Sequence, residues 1–236
     1  MFRHTAHVYD LIYKAIGKDY AQEADEIRLL VWERNPDART LLDVACGTGG
    51  HLRHLRDAFE VTGVDLDPGM LDQARLRLPG IRLVEGDMTD LDLGHKFDAV
   101  VCLFSSIGYL KDTDQLDSAV GSMADHLNPG GILVVDGWVR PDAWISDGHA
   151  SVDVAEDDET KVARVTRSGR DGMRTHLEMH YLIATRQRIE HLVENHELTL
   201  FAPESYEAAF RRAGMTTEVV PSPMPGRDRY VASRSG

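Results

Sequence analysis

The chain has 236 residues, 42% of them hydrophobic and 28% charged, which suits one compact domain and argues against extensive disorder. Thirty-nine acids against 26 bases leave a formal net charge of −13, unfavourable for binding nucleic acid or an anionic membrane. No apolar run is long enough to span a bilayer, and the first residues show no signal-peptide core. The two cysteines, Cys46 and Cys102, lie in apolar runs that read as reduced core thiols of a cytoplasmic protein.

In chain order, Tyr20, Ala24, Ile27 and Val31 recur at helical spacing and predict a helix over 19–35, stopped by Pro36. Residues 39–45 read as an apolar strand, followed by a glycine-rich turn (CGTGG, 46–50) and a helix opening at His51. A second strand covers 61–66, and Asp67-Pro68 starts a helix with an acid at the cap and proline in the first turn. Further strands are predicted at 81–85 and 97–104, a helix at about 113–127, a breaking turn NPGG at 128–131 and a strand at 132–136. This alternation predicts a mainly parallel sheet with helices on both faces.

After Trp138 the rhythm changes. Residues 151–201 hold several strand-like runs. In HLEMHYLIA (176–184), Leu177, Met179, Tyr181 and Ile183 point one way while His176, Glu178 and His180 point the other, the signature of an antiparallel sheet. A helix over 203–214 and two strands, TTEVV and RYVAS, close the chain. The expected organisation is an α/β core of residues 1–140 plus 202–236, with an antiparallel β insert at 141–201 that contributes to acceptor binding.

The most informative segment is LLDVACGTGG. A strand runs into a turn whose glycines at 47, 49 and 50 let a ligand approach the backbone, and the N–H groups of the following helix favour an anionic group. Asp65 ends the next strand, 18 positions beyond Gly47, where a carboxylate accepts hydrogen bonds from ribose hydroxyls. A dinucleotide fingerprint wants a third glycine where Leu52 stands, so an NAD-dependent oxidoreductase is disfavoured.

The motif DVACGTGG resembles motif I of class I S-adenosylmethionine (SAM) dependent methyltransferases. GVDLDPGML (63–71), EGDMTDL (85–91) and NPGGILVVDGW follow in that class's order. The resemblance implies SAM as cofactor, held by Asp43, Ala45, Gly47, Gly49, Asp65, Met70, Asp87, Met88, Phe104 and Tyr20. It assigns Asp65 to the ribose and Asp87 and Met88 to adenine. GKDY, CLFSSIGYL, ARVTRSGRDG, ELTLF, YEAAF and PGR together resemble a narrower group, the TDP-linked aminosugar N-methyltransferases of antibiotic pathways, over about Val8 to Tyr230. That likeness implies a TDP-aminodeoxysugar acceptor, a homodimer, and acceptor contacts from Ser106, Trp138, Arg170, His180, Tyr181 and Arg227. Tyr109 and Tyr13 are the candidates to line the methyl-transfer channel. Some members of the group carry His at the Tyr109 position, which favours polar positioning there over an essential base.

The charge map points the same way. Residues 161–190 carry seven bases and three acids, a net of +4 inside an acidic protein, which suits a diphosphate or else an ordinary solvated face; Arg227 and Arg229 add to it. Alternate strand positions stand about 6.5–7 Å apart, too wide for His176 and His180 to share one small metal ion. No metal is expected, and His51 and His54 read as surface residues. The alternatives are a methyltransferase for a free small amine or hydroxyl and a non-catalytic SAM-binding protein.

Overall fold

The computed structural model describes residues 5–145, 148–222 and 224–234. Among these, the elements are α1 (Ala6–Ala15), α2 (Tyr20–Arg34), β1 (Thr40–Val44), α3 (Leu52–Leu55), β2 (Glu60–Asp65), α4 (Pro68–Arg77), β3 (Arg82–Glu85), β4 (Phe97–Cys102), a 3-10 turn (Ser106–Tyr109), α5 (Thr113–Asp125) and β5 (Leu127–Asp136). They continue with β6 (Ala150–Glu156), β7 (Thr160–Asp171), β8 (Arg174–Thr185), β9 (Ile189–Thr199), α6 (Pro203–Arg212), β10 (Met215–Pro221) and β11 (Asp228–Arg234).

Seven strands form one sheet in the order β10-β11-β5-β4-β1-β2-β3, and β6-β7-β8-β9 form a separate antiparallel sheet. In the large sheet β1 pairs parallel with both β2 and β4, and only β11 runs antiparallel to its neighbours. The fold is therefore the Rossmann-like class I methyltransferase arrangement. Its strand order reverses between β1 and β4, the switch point where open α/β sheets bind ligands.

Alternation of side chains sends Val100, Leu133 and Val135 to one face, against Leu116, Val120 and Met123 of α5 and Phe210 of α6. Leu41, Val101 and Val134 go to the other face, against Ile27 and Val31 of α2, Leu52 of α3 and Leu71 of α4. Strands buried on both faces need the near-continuous apolar runs seen in the sequence, and each fully buried Val or Leu contributes about 1.5–3 kcal/mol. Asp19, Asp67 and Asp112 cap α2, α4 and α5, each accepting a backbone N–H, worth about 1 kcal/mol apiece.

The structure departs from the sequence reading in three places. Helix α1, not anticipated, packs Val8 and Ile12 against Val162, Met179, Tyr181 and Ile183 of the antiparallel sheet. Strand β5 begins at Leu127 and absorbs the NPGG turn as an irregularity, so that Phe97 pairs with Leu127 but Ala99 with Ile132. His51 is not at the surface: it is 6% exposed, and its Nε2 lies 2.9 Å from Oε2 of Glu23. Among the described residues no helix is long and apolar enough to cross a membrane, and no group of three or more His, Cys, Asp or Glu is placed to hold a metal ion.

Candidate active site

Both strands flanking the switch point leave the sheet through left-handed backbone. After β1 the φ angles are 60° at Ala45 and 57° at Gly47, and after β4 they are 55° at Phe104 and 64° at Ser105. Left-handed conformations cost a non-glycine residue about 1 kcal/mol or more and concentrate at functional sites. Here they turn the two loops outward and open a cavity of about 320 Å³ between them. Its wall combines the apolar side chains of Met70, Met88 and Leu110 with Asp65, Asp87, Ser106, Tyr9 and Tyr109.

Asp65, the last residue of β2, organises the floor. One carboxylate oxygen accepts the Gly47 N–H at 2.7 Å and the other the Asp67 N–H at 2.8 Å. Burial pushes its pKa up, against the opposing pull of those N–H groups. Asp43, under the turn, is 1% exposed and its Oδ2 has no hydrogen-bond partner. Burial, reinforced by the charge of Asp65, raises the Asp43 pKa well above its ordinary value. Buried acceptors left in this condition are costly, and this one suits a cationic or N–H-bearing ligand. Apolar walls for a base, an acid at the end of β2 for a diol and an orphaned buried carboxylate are the donor and acceptor set that SAM requires.

The glycines of the turn serve different neighbours. A Cβ on Gly47 would meet nothing, leaving its backbone open to the cavity, whereas one on Gly50 would stand 2.7–2.8 Å from the Tyr20 ring. Tyr20 is clamped there by His51, with ring centroids 5.0 Å apart, and its hydroxyl donates to Asp10. Thr48 donates to the same Asp10 carboxylate at 2.9 Å, and Arg77 pairs with it, tying α1 to the cofactor turn.

Of the residues named from the sequence, Ala45, Gly47, Asp65, Met70, Asp87, Met88, Ser106 and Tyr109 line this one cavity. Gly49 and Tyr20 line a separate hollow beyond the turn. Tyr13, Phe104 and Arg227 line a third, together with Lys18 and Met224. In this third hollow Tyr13 packs edge-on against Phe104, and Lys18 Nζ stands 3.6 Å from the Phe104 ring centre. Trp138 lies 4.3 Å beneath the Arg227 guanidinium, which also donates to Ser105 Oγ at 3.0 Å.

The remaining candidates lie elsewhere. Tyr181 is 1% exposed, in the core between α1 and the antiparallel sheet. His180 points from the opposite face, bonded to Glu178 and His191. Arg170 donates to the backbone oxygens of Pro141 and Gly172. The basic stretch does not form one patch, because strand alternation separates its members. Arg164 pairs with Asp153, Arg174 with Glu197, Arg188 with Glu190 and Lys161 with Glu156. Arg229 is likewise unavailable to a diphosphate: it is 2% exposed and donates to both oxygens of Asp136.

Three participants went unnoticed in the sequence. Tyr9 lines the cofactor cavity and packs at a tilt against Tyr13, with ring centroids 4.4 Å apart, a pair whose i, i+4 spacing in VYDLIY was the available signal. Lys18 stands in the GKDY motif, which assigned it no role, and His196 carried no signal. His196 reaches the site from β9, with Nδ1 2.9 Å from the Tyr109 hydroxyl.

A family profile described as "Methyltransferase domain" matches residues 41–131. The chain is 47% identical over 228 residues to the dTDP-3-amino-3,4,6-trideoxy-alpha-D-glucopyranose N,N-dimethyltransferase of Streptomyces venezuelae, covering 96% of each chain. Its fold superimposes on Streptomyces venezuelae DesVI with a TM-score of 0.92, at 46% identity and 98% coverage of both chains. It superimposes on SAM-bound CalS10, an amino pentose methyltransferase of Micromonospora echinaspora, with a TM-score of 0.87, at 41% identity and 97% coverage of both. With the cavity at the β1–β4 switch point and its acidic floor, these likenesses show that the chain belongs to the dTDP-aminosugar N-methyltransferase family of class I SAM-dependent methyltransferases.

Proposed function

We propose that this enzyme methylates the amino group of a TDP-linked aminodeoxysugar, with SAM as the methyl donor, in the biosynthesis of a secondary metabolite. The observation that carries the nucleotide part is Arg227. Its guanidinium is half-buried against Trp138 and Ser105, and burial lowers its pKa. Among the described residues no carboxylate forms an ion pair with it. A desolvated guanidinium in that condition suits a phosphate oxygen.

Bound SAM supplies an electrophilic methyl on a sulfonium. The residues that would hold it are Ala45, Gly47 and Asp65 from the first two strand ends, Met70, Asp87 and Met88 around the base, and Asp43 beneath the turn. Tyr9 brings an aromatic ring to the cavity, with Tyr13 and Phe104 packed behind it, and an aromatic face stabilises a neighbouring cation by about 0.5–2 kcal/mol. A sugar amine is partly unprotonated near neutral pH, so the protein's main contribution is to orient the nitrogen lone pair and exclude water. Tyr109 supplies a polar contact at the cavity wall. Residues 141–201 form the acceptor-binding insert on a core of 1–140 plus 202–236, with Trp138 and Arg170 near the junction.

A homodimer and a cytoplasmic location complete the proposal. The outward face of the antiparallel sheet leaves Val152, Val154, Val165 and Leu182 between 45% and 68% exposed, a surface suited to a second copy. Light scattering on a sizing column tests this: a dimer is expected, and a monomer at tens of micromolar would refute it. The nucleotide assignment is tested by calorimetric titration with TDP in the presence of S-adenosylhomocysteine. Saturable binding that weakens about 10- to 100-fold in Arg227→Ala is expected from loss of charge-assisted hydrogen bonds. Binding of S-adenosylhomocysteine with no TDP response would reassign the acceptor to a non-nucleotide small molecule.

A further inference from the structure

The Tyr109 hydroxyl makes a hydrogen bond that leaves the cofactor cavity for the antiparallel sheet, where it meets a buried histidine beside a glutamate. Its Oη lies 2.9 Å from His196 Nδ1, with the two rings edge-on at 5.9 Å. The other ring nitrogen, Nε2, lies 3.5 Å from Glu194 Oε2, and that same oxygen accepts the Thr5 hydroxyl at 2.9 Å. His196 is 2% exposed and Glu194 is 6% exposed, one strand pleat apart on β9. The groups facing this pair include Thr5 ahead of α1, Tyr109 from the 3-10 turn and Tyr181 from β8, which feels the Glu194 charge. A buried histidine and carboxylate are expensive to keep, and packing of the sheet alone would be served by apolar residues.

The arrangement has a direction. Glu194 faces Nε2 at 3.5 Å, outside hydrogen-bond geometry, and its negative charge favours the tautomer whose hydrogen sits on Nε2; in that tautomer Nδ1 accepts from Tyr109. The amine reacts only when unprotonated, because its lone pair is the nucleophile. With its own hydrogen committed to Nδ1, Tyr109 Oη offers lone pairs, not a hydrogen, to the cavity.

Building on the sugar-amine reading, we propose that Glu194 and His196 are positioning residues that hold Tyr109 as a hydrogen-bond acceptor for an acceptor-amine N–H, and that this contact matters most for a second methyl transfer. Each transfer forms one N–C bond and breaks the donor's C–S bond. It leaves an ammonium whose proton passes to water. A primary amine has two N–H groups, either of which satisfies Tyr109. A monomethylated amine has one, and holding it fixes the lone pair that must face the donor. A dimethylated amine has none and is released.

The test is product partitioning in Tyr109→Phe, His196→Leu and His196→Asn, the last keeping an acceptor near the Nδ1 position. With a TDP-aminosugar, Tyr109→Phe and His196→Leu are expected to accumulate monomethylated product. Their second-step rate should fall about tenfold relative to the first, the upper end of what one neutral hydrogen bond carries, while His196→Asn stays close to wild type. An unchanged mono-to-dimethyl ratio in folded Tyr109→Phe and His196→Leu, with normal S-adenosylhomocysteine binding, would overturn the inference. Nitrogen-15 NMR of the histidine rings at pH 8 gives a readout that needs no turnover. A hydrogen on Nε2 of His196 is expected, and a hydrogen on Nδ1 would overturn the inference. Failure of the wild-type enzyme to methylate any TDP-aminosugar would instead strike the functional reading and leave the NMR result to decide the polarity.

Discussion

Glu23 gives a pH-dependent stability with a defined sign. It lies on α2 with its side chain 12% exposed, and its Oε2 takes both Lys18 Nζ at 2.5 Å and His51 Nε2 at 2.9 Å. Burial alone would raise its pKa, but the hydrogen bonds from His51 and Lys18 win and hold the carboxyl at about 2 against an ordinary 4.5. A folded-state pKa below the unfolded value stabilises the native protein above the unfolded pKa and ceases to do so as pH falls through the folded one. The linkage amounts to about 3 kcal/mol, present above roughly pH 4.5 and lost between there and about pH 2. Glu23→Gln removes the charge, so wild type should exceed the variant by about that amount at pH 7, with the gap shrinking steadily below pH 4.5. Urea unfolding of both proteins from pH 7 to pH 3 measures it. A gap that is constant over this range, or that widens on acidification, would refute the assignment of the stabilisation to an ionised Glu23.

Gly50→Ala should destabilise the protein by about 1–3 kcal/mol through overpacking, seen as a lower Tm, because its Cβ would enter the Tyr20 ring at 2.7–2.8 Å. Tyr20→Leu in the same chain should restore part of the loss if the clash is the cause. Asp43→Asn should leave the ligand-free Tm unchanged or raised, since it removes a buried carboxylate with an orphaned oxygen. The same change should weaken S-adenosylhomocysteine by up to about tenfold in calorimetry, the upper end of what one hydrogen bond carries. A lowered Tm with unchanged affinity would place Asp43 in the structural framework instead. The Arg227→Ala titration with TDP completes the set.

What the sequence disclosed divides along physical lines. The parallel strands were legible because burial on both faces demands continuous apolar runs, and α4 because Asp67 caps it and Pro68 opens it. Helix α1 went unread although Val8, Leu11 and Ile12 follow helical spacing, since Thr5 makes no side-chain cap and the helix owes its place to the antiparallel sheet. His51 looked like surface because its partner Glu23 is 28 residues away. The basic run at 161–190 suggested a patch because charge was counted along the chain, whereas a strand pair distributes it across two faces and supplies acids from neighbouring strands.

The two halves of the site differ in the same respect. The cofactor floor is made by neighbours in sequence: Gly47 reaches Asp65 across 18 positions, and Asp65 reaches Asp67 across two. The acceptor side is made across long separations: Tyr109 meets His196 over 87 positions, Arg227 meets Ser105 over 122, and Thr5 meets Glu194 over 189. Short separations leave motifs that can be recognised in one sequence; long ones leave isolated residues whose partners only the fold supplies. The same separation lets acceptor contacts from β9 and the segment before β11 vary while the β1–β2 turn that holds the cofactor stays intact. A substitution such as His196→Leu should therefore alter methylation of the sugar amine while S-adenosylhomocysteine affinity stays within about twofold of wild type, since His196 reaches the cofactor cavity through Tyr109 and not through the Asp65 floor.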